Sequence, residues 1–239
     1  MSAALELRDV WHSYVTGNVR TLAVRDVHLI VGRGEMVSLM GPSGSGKSTL
    51  LMLAAGLLKP DRGDVFVEGR QVDTADNDAV ATLRRRSLGY VLQDRNLLPT
   101  LTAAENVSLP LELEGRSLRE ARSVAIGALE AAGVAGCADR FPDDLSGGEQ
   151  QRVAVARAIA GDRALVLADE PTSALDSLTG EGVMRLLRDY CERGGTALYV
   201  THDAANAAWA DRVVFLRDGR ICDQSRIGCV EELLVAGAT

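Results

Sequence analysis

Residues 41–49 read Gly-Pro-Ser-Gly-Ser-Gly-Lys-Ser-Thr, with Gly41, Gly46, Lys47 and Ser48 at fixed places and Pro42, Ser43, Gly44 and Ser45 between. An apolar, strand-like run, Met36–Met40, leads into this stretch, and a helix-like run, Leu50–Ala55, follows Thr49. In that setting consecutive backbone N–H groups curl around an anion, and the helix start adds partial positive charge, which is phosphate-binding chemistry. Glycine permits the positive φ angles and the close approach to a ligand. Lys47 is placed to reach the β- and γ-phosphates of a nucleotide, and the Ser48 hydroxyl to hold Mg2+. Lys47 and Lys59 are the only lysines among 26 strong bases. One of them stands where a compact, rotatable ammonium serves better than a planar guanidinium.

Two further sets of residues suit the same chemistry. Ala164–Ala168 reads as a buried strand and ends in Asp169-Glu170. Beside a phosphate loop, Asp169 is expected in the Mg2+ shell. Glu170 is expected to orient and polarise the attacking water, as catalytic base. Thr201-His202-Asp203 follows another apolar strand, Ala197–Val200, so His202 emerges at a strand end, in reach of a γ-phosphate if the two strands are neighbours. His12 and His28 read as fillers.

A second anion site is written at Leu145-Ser146-Gly147-Gly148-Glu149-Gln150. Ser-Gly-Gly opens a helix expected over 149–160 and bares its first N–H groups. The two phosphate-binding helix starts lie about a hundred residues apart. Both serve one nucleotide if the second comes from another copy, in a head-to-tail, two-fold homodimer with two ATP molecules between subunits.

The elements that position these residues follow from pattern. Residues 4–15 and 22–31 read as strands joined by a loop at Thr16–Arg20, and Gly63–Gly69 as a short glycine-bounded strand, which makes an N-terminal antiparallel sheet. Residues 102–113 and 117–133 are helical in pattern, so roughly 94–160 reads as an inserted helical subdomain. The rest, 1–93 and 161–239, forms the nucleotide-binding core. Strand and helix alternate again over Ala164–Ala168, Ser177–Arg193, Thr196–Val200, Ala204–Trp209 and Arg212–Leu216, implying a parallel sheet with helices on its faces. The expected fold class is α/β, with a parallel-sheet core that, through its phosphate loop, resembles a P-loop NTPase (RecA-like), an N-terminal antiparallel β-subdomain and an inserted α-helical subdomain.

At 239 residues this is one domain. A net charge of -7 argues against nucleic acid as a partner; Arg84–Arg86 reads as a solvated helix end. No apolar run reaches the length of a membrane span and no leader pattern opens the chain, so a cytoplasmic place is expected. Cys137, Cys191, Cys222 and Cys229 lack metal-site spacing and read as reduced, mostly structural thiols.

Taken together, these motifs resemble, over essentially the whole chain, the nucleotide-binding domain of ATP-binding cassette (ABC) transporters. Gly41–Thr49 is similar to Walker A, Leu165–Glu170 to Walker B, Leu145–Gln150 to the signature, Ser173–Asp176 to the D-loop, Gln93 to the Q-loop and His202 to the switch histidine. Tyr14 falls where the family keeps an aromatic that stacks on adenine. The resemblance implies ATP and Mg2+ as cofactors. It implies Ser146, Gly147, Gly148, Glu149 and Asp176 at the nucleotide, Glu170, His202 and Gln93 in catalysis, and Ser48, Gln93 and Asp169 around the metal. It further implies an ATPase, peripheral on the inner face of the cell membrane, whose integral membrane permease docks near residues 94–112. Asn96–Leu111 looks like the branch of macrolide-exporting, lipoprotein-releasing and cell-division ATPases (the MacB/LolD group), in which force is transmitted to large extracytoplasmic domains. The alternatives are an ATP-gated regulatory module of a cell-envelope complex and a soluble, non-transport ABC ATPase.

Overall fold

The computed structural model describes residues 3–17, 19–72, 77–173 and 175–226. Ala174 of the D-loop stretch, Cys229 and the end of the core segment lie outside the described residues.

Four strands make an antiparallel sheet: β1 (Ala3–Thr16), β2 (Val19–Gly32), β4 (Arg62–Val67) and the two-residue β5 (Arg70–Gln71), in the order β2-β1-β4-β5. The connection between β1 and β2 is tighter than the expected loop, because pairing continues to Thr16 opposite Val19.

The second sheet holds β3 (Met36–Met40), β6 (Leu88–Val91), β7 (Leu165–Asp169), β8 (Thr196–Val200), β9 (Arg212–Arg217) and β10 (Arg220–Arg226), ordered β10-β9-β3-β8-β7-β6. All of its pairs are parallel except the edge strand β10, which runs antiparallel to β9. The helices are α1 (Lys47–Ala54), α2 (Asn77–Ser87), α3 (Ala103–Leu113), α4 (Leu118–Ala131), α5 (Gly147–Ile159), α6 (Ser177–Glu192) and α7 (Ala204–Ala207).

Strand periodicity divides the core in two. Val37 and Leu39, Leu165 and Leu167, Leu198 and Val200 pack with α1 and the antiparallel sheet. Their alternates Met36, Val166, Ala168, Ala197 and Tyr199 pack with α3, α4, α5 and α6. Successive residues of a strand face opposite sides, so a strand buried on both sides is apolar throughout.

Helices α3, α4 and α5 each begin with a capping box, at Thr102/Glu105, Ser117/Glu120 and Ser146/Glu149. Each cap satisfies N–H groups that a helix start leaves open. The loop before α3 is held by Asn106, 1% exposed. Its Nδ2 donates to the carbonyls of Leu98, Leu101 and Thr102, all at 3.0 Å, while its Oδ1 accepts from the Leu98 N–H at 2.7 Å. A buried amide satisfied on every side fixes the shape of a surface loop. Gly89 on β6 sits against α5, where an added Cβ would lie 1.9 Å from the Ala158 carbonyl oxygen.

Helix α2 and strands β5, β6 and β10 exceed the expectation from sequence, while α7 ends short of Trp209. Cys137 and Cys191 are buried and Cys222 exposed, all free. Burial pushes the Cys191 thiol up to about 12, which keeps it protonated and unreactive.

Candidate active site

The phosphate loop spans the end of β3 and the start of α1, wedged between two strands of neighbouring elements. Gly41 has φ 147 and Gly46 φ 101. A Cβ at Gly41 would stand 2.0 Å from the Leu216 carbonyl oxygen, and one at Gly46 would stand 2.2 Å from that of Ala23. Both conformation and space therefore require glycine. The turn between β9 and β10 braces the loop, with the Gly219 N–H donating to the Ser45 carbonyl at 2.9 Å. Lys47 donates from Nζ to the carbonyls of Gly41 and Pro42, both at 2.8 Å.

The strand order brings the remaining residues to the same edge. β3, β8 and β7 are adjacent, and Asp169 pairs with Val200, so His202 emerges beside the two carboxylates. Asp169 is 7% exposed. Burial raises its pKa; a hydrogen bond with the Ser48 side chain opposes that, Glu170 adds to it, and Lys47 opposes it. Burial likewise lowers the pKa of Lys47, against the pull of Glu170 and Asp169. The two charges therefore sit in a buried place that only partly compensates them.

Glu170 adopts φ 47, in the left-handed region that non-glycine residues seldom enter. Its N–H donates to the Val200 carbonyl at 3.2 Å, and its carbonyl accepts from both the N–H and the hydroxyl of Ser173 at 3.2 Å. Its carboxylate meets His202, with Oε1 3.1 Å from Nδ1.

Above these groups opens a cavity of about 510 Å³. Gly41, Ser43, Gly44, Gly46, Lys47, Ser48 and Thr49 form one wall. Gln93, Asp169, Glu170 and His202 form another, and Tyr14 the outer end. The Tyr14 hydroxyl is 3.3 Å from Thr49 Oγ1, and the His12 ring stands edge-on to Tyr14 at 5.0 Å between centroids. His12 is buried there, with its Nδ1 3.0 Å from the Lys59 carbonyl oxygen. His28 is exposed and pairs with Asp9 at 2.6 Å.

Sequence reasoning passed over Thr21, Leu22, Ala23 and Val200, which also line the cavity. Thr21 and Leu22 arrive by cross-strand pairing, opposite Tyr14 and Ser13. Register of that kind leaves no local signal.

Ser146, Gly147, Gly148, Glu149 and Asp176 are not among the residues lining this cavity. The Ser146 hydroxyl accepts from the Glu149 N–H at 3.3 Å, and the Glu149 carboxylate accepts from the Ser146 N–H at 2.7 Å. The Ser146 N–H, then the Ser146 hydroxyl and the Cys137 thiol, hold the Glu149 carboxyl down at about 2. Asp176 caps α6 by accepting from the Thr179 N–H at 3.0 Å and lines a separate cavity of about 360 Å³. Within one chain, both carboxylates are engaged as helix caps.

A glycine-rich loop between strand and helix, at the carboxyl edge of a parallel sheet beside an Asp-Glu strand end, defines a P-loop ATPase. The chain matches the ABC transporter family over residues 24–173. It is 44% identical over 230 residues to an uncharacterized ABC transporter ATP-binding protein of Thermotoga maritima, covering 96% of this chain and 98% of that one. It is also 44% identical over 221 residues to the macrolide export ATP-binding/permease protein MacB of Salmonella typhimurium, covering 92% of this chain and 34% of that longer protein. A solved dimeric structure of the Methanocaldococcus jannaschii cassette MJ0796, in a post-hydrolysis state bound to ADP and Pi, is similar with a TM-score of 0.88 at 41% identity. That match covers 93% of this chain and 98% of that one. The chain belongs to the ABC transporter family, as an ATP-binding, ATP-hydrolysing module similar to the MacB-type cassettes.

Proposed function

We propose that the chain is one half of a head-to-tail ATP sandwich, in which the Ser146–Gly148 turn of each copy closes on the nucleotide held by the other and drives a separate membrane permease. One observation carries this reading: the phosphate loop, Asp169, Glu170 and His202 share one cavity, while the glycine-bared start of α5 lies outside it. An anion site that does not serve its own chain's nucleotide is suited to a second copy. Asp176 and the 83% exposed Leu178 beside it belong to the same contact surface.

Within each half, Tyr14 stacks on the adenine, and Lys47 with the N–H groups of residues 43–49 holds the phosphates. Glu170 orients the attacking water and accepts its proton, and His202 keeps Glu170 and the γ-phosphate in register. Ser48, Asp169 and Gln93 offer oxygen donors, which Mg2+ prefers, and the undercompensated buried charge of Asp169 fits a cation there. Mg2+ held by these residues would supply charge neutralisation at the phosphates.

No helix among the described residues is long and apolar enough to cross a membrane. The likeness to MacB, whose name joins ATP-binding and permease functions, supports a permease partner for this chain and a place at the inner membrane face. Within 94–112, the loop fixed by Asn106 and the exposed Leu98 offer the docking surface. Force transmission to an extracytoplasmic domain, rather than passage through a channel, is the reading we favour.

Glu170→Gln, loaded with ATP and Mg2+ and extracted from its native cells, tests this. It is expected to run as a dimer and to carry a polytopic membrane protein with a large extracytoplasmic domain. A variant that stays monomeric with ATP, or hydrolyses it at the normal rate, overturns the assignment; recovery with a soluble partner alone would favour a non-transport role.

A further inference from the structure

Helix α5 carries the Ser146–Gly148 turn at its start and Arg157 in its last turn. Arg157 reaches out of the helix to the loop that follows Gln93, donating from Nη1 to the Asn96 carbonyl at 2.8 Å and from Nη2 to the Arg95 carbonyl at 2.9 Å. Arg95 and Asn96 have φ 58 and 47, two successive non-glycine residues in the left-handed region. Such a backbone persists only where its surroundings enforce it. A planar guanidinium gripping two consecutive carbonyls is an enforcing contact of the right shape.

The guanidinium is held at a cost. Arg157 is half-buried and has no carboxylate partner among the ion pairs of the described residues. Burial alone lowers its pKa. Its buried half is met by the two carbonyls, so the contact is a directed one rather than packing alone.

The same loop is also tied to the other end of α5. Arg95 donates from Nη1 to Gln150 Oε1 at 3.2 Å, and Gln150 donates from Nε2 to the carbonyls of Pro142 and Leu145 at 2.9 and 3.1 Å. A Cβ on Gly147 would lie 3.2 Å from Arg95 Nη2, so the Arg95 side chain lies across the glycine turn. The loop that begins with Gln93, a residue of the nucleotide cavity, is therefore pinned to both the first and the last turn of α5.

We propose that Arg157 is a positioning residue that, with Arg95, joins the Gln93 loop and helix α5 into one rigid unit. Occupancy of the γ-phosphate position at Gln93 then sets the presentation of the Ser146–Gly148 turn to the second copy. This inference rests on the head-to-tail reading above, and it names the side chains that couple a subunit's own nucleotide to the turn it offers its partner. Arg157 touches neither nucleotide nor metal; it acts through the two carbonyls it holds.

The test compares the full chain with Arg157→Ala, Arg157→Lys, Arg95→Ala and Gln93→Ala, and the Gln93→Ala/Arg157→Ala and Gln93→Ala/Arg95→Ala pairs. The readouts are fluorescent-ATP affinity, kcat, thermal midpoint, and ATP-driven dimerisation of each in a Glu170→Gln background. Arg157→Ala and Arg95→Ala are expected to bind ATP within about threefold of wild type, yet to lose on the order of tenfold in kcat and in the ATP sensitivity of dimerisation. Each double variant should be no worse than its more affected single, because the residues act as one unit. Arg157→Lys is expected to recover the thermal midpoint but only part of kcat, since an ammonium cannot grip two carbonyls in the same plane.

Losses that multiply in both double variants overturn the proposal. So does a kcat that follows the thermal midpoint across the Arg157 series. If Arg157→Ala fails to fold, the Arg95→Ala cycle decides alone. Wild-type protein that neither hydrolyses ATP nor dimerises with it would instead sink the head-to-tail reading itself.

Discussion

His202 Nδ1 lies 3.1 Å from Glu170 Oε1, although 32 residues separate the two in sequence. Parallel pairing of β7 with β8 sets Asp169 opposite Val200, so the residues just past each strand end meet at the sheet edge. A carboxylate only accepts, so in the neutral ring Nδ1 carries the proton and Nε2 is left as acceptor. The left-handed backbone at Glu170, φ 47, turns this carboxylate toward the histidine as the strand ends.

If the pair works as one unit, His202→Ala should lower kcat by about 10²–10³-fold while leaving ATP affinity nearly unchanged. In a Glu170→Gln background the same change should have little further effect. Steady-state hydrolysis of the four proteins checks this, and fully multiplicative losses would show that the two act independently.

Asp169 is expected to trade stability for function. Its folded pKa is raised, chiefly by burial, so the folded protein binds a proton there more tightly than the unfolded chain does. The penalty on folding therefore grows as pH rises from the ordinary aspartate value of 3.8 toward the raised one, and is fully present above the raised one. Asp169→Asn should raise the nucleotide-free thermal midpoint, by about 2–4 °C for each kcal/mol relieved, and abolish Mg2+-dependent hydrolysis. A lower midpoint in calorimetry at pH 7 would contradict this.

Tyr14→Ala should weaken ATP binding by roughly 5–150-fold, the equivalent of about 1–3 kcal/mol of base stacking, with kcat at saturation little changed. Tyr14→Phe should keep nearly full affinity, because it loses only the 3.3 Å contact to Thr49 Oγ1. Titration with ATP and with inorganic triphosphate separates the base from the phosphates. Equal losses for both ligands would place the effect in the loop instead.

Gly89→Ala should destabilise the fold by about 1–3 kcal/mol through overpacking, since its Cβ would meet the Ala158 carbonyl oxygen at 1.9 Å. Because β6 leads into the Gln93 loop and Ala158 belongs to α5, kcat should fall as well. Denaturant unfolding together with ATPase assays reads both, and an unchanged midpoint would mean that the helix moves freely.

Much of the site was legible because phosphate chemistry is local. A loop, its lysine and the first turn of a helix are contiguous, and so are an Asp-Glu strand end and a capping box. Helix α2 was passed over because its sequence is mostly polar, with three arginines in its last turn. Strand β10 was passed over because it is largely exposed and held by pairing with β9 rather than by burial. Glu149 and Asp176 also serve as helix caps within the chain, a use that for Glu149 the Ser-x-x-Glu spacing with Ser146 itself encodes.

Spacing and residue type by themselves determined the phosphate loop, the Asp169-Glu170 strand end, the α/β alternation and the second glycine-rich helix start, because each is a property of a few neighbouring residues. Only the tertiary structure decided that Thr21 and Leu22 complete the cavity opposite Tyr14 and Ser13, and that His12 stands against Tyr14. It alone decided that Arg157 grips the carbonyls of Arg95 and Asn96. Those contacts depend on strand register and on packing across about 60 residues of chain, and long-range geometry of that kind leaves no periodic trace in the sequence.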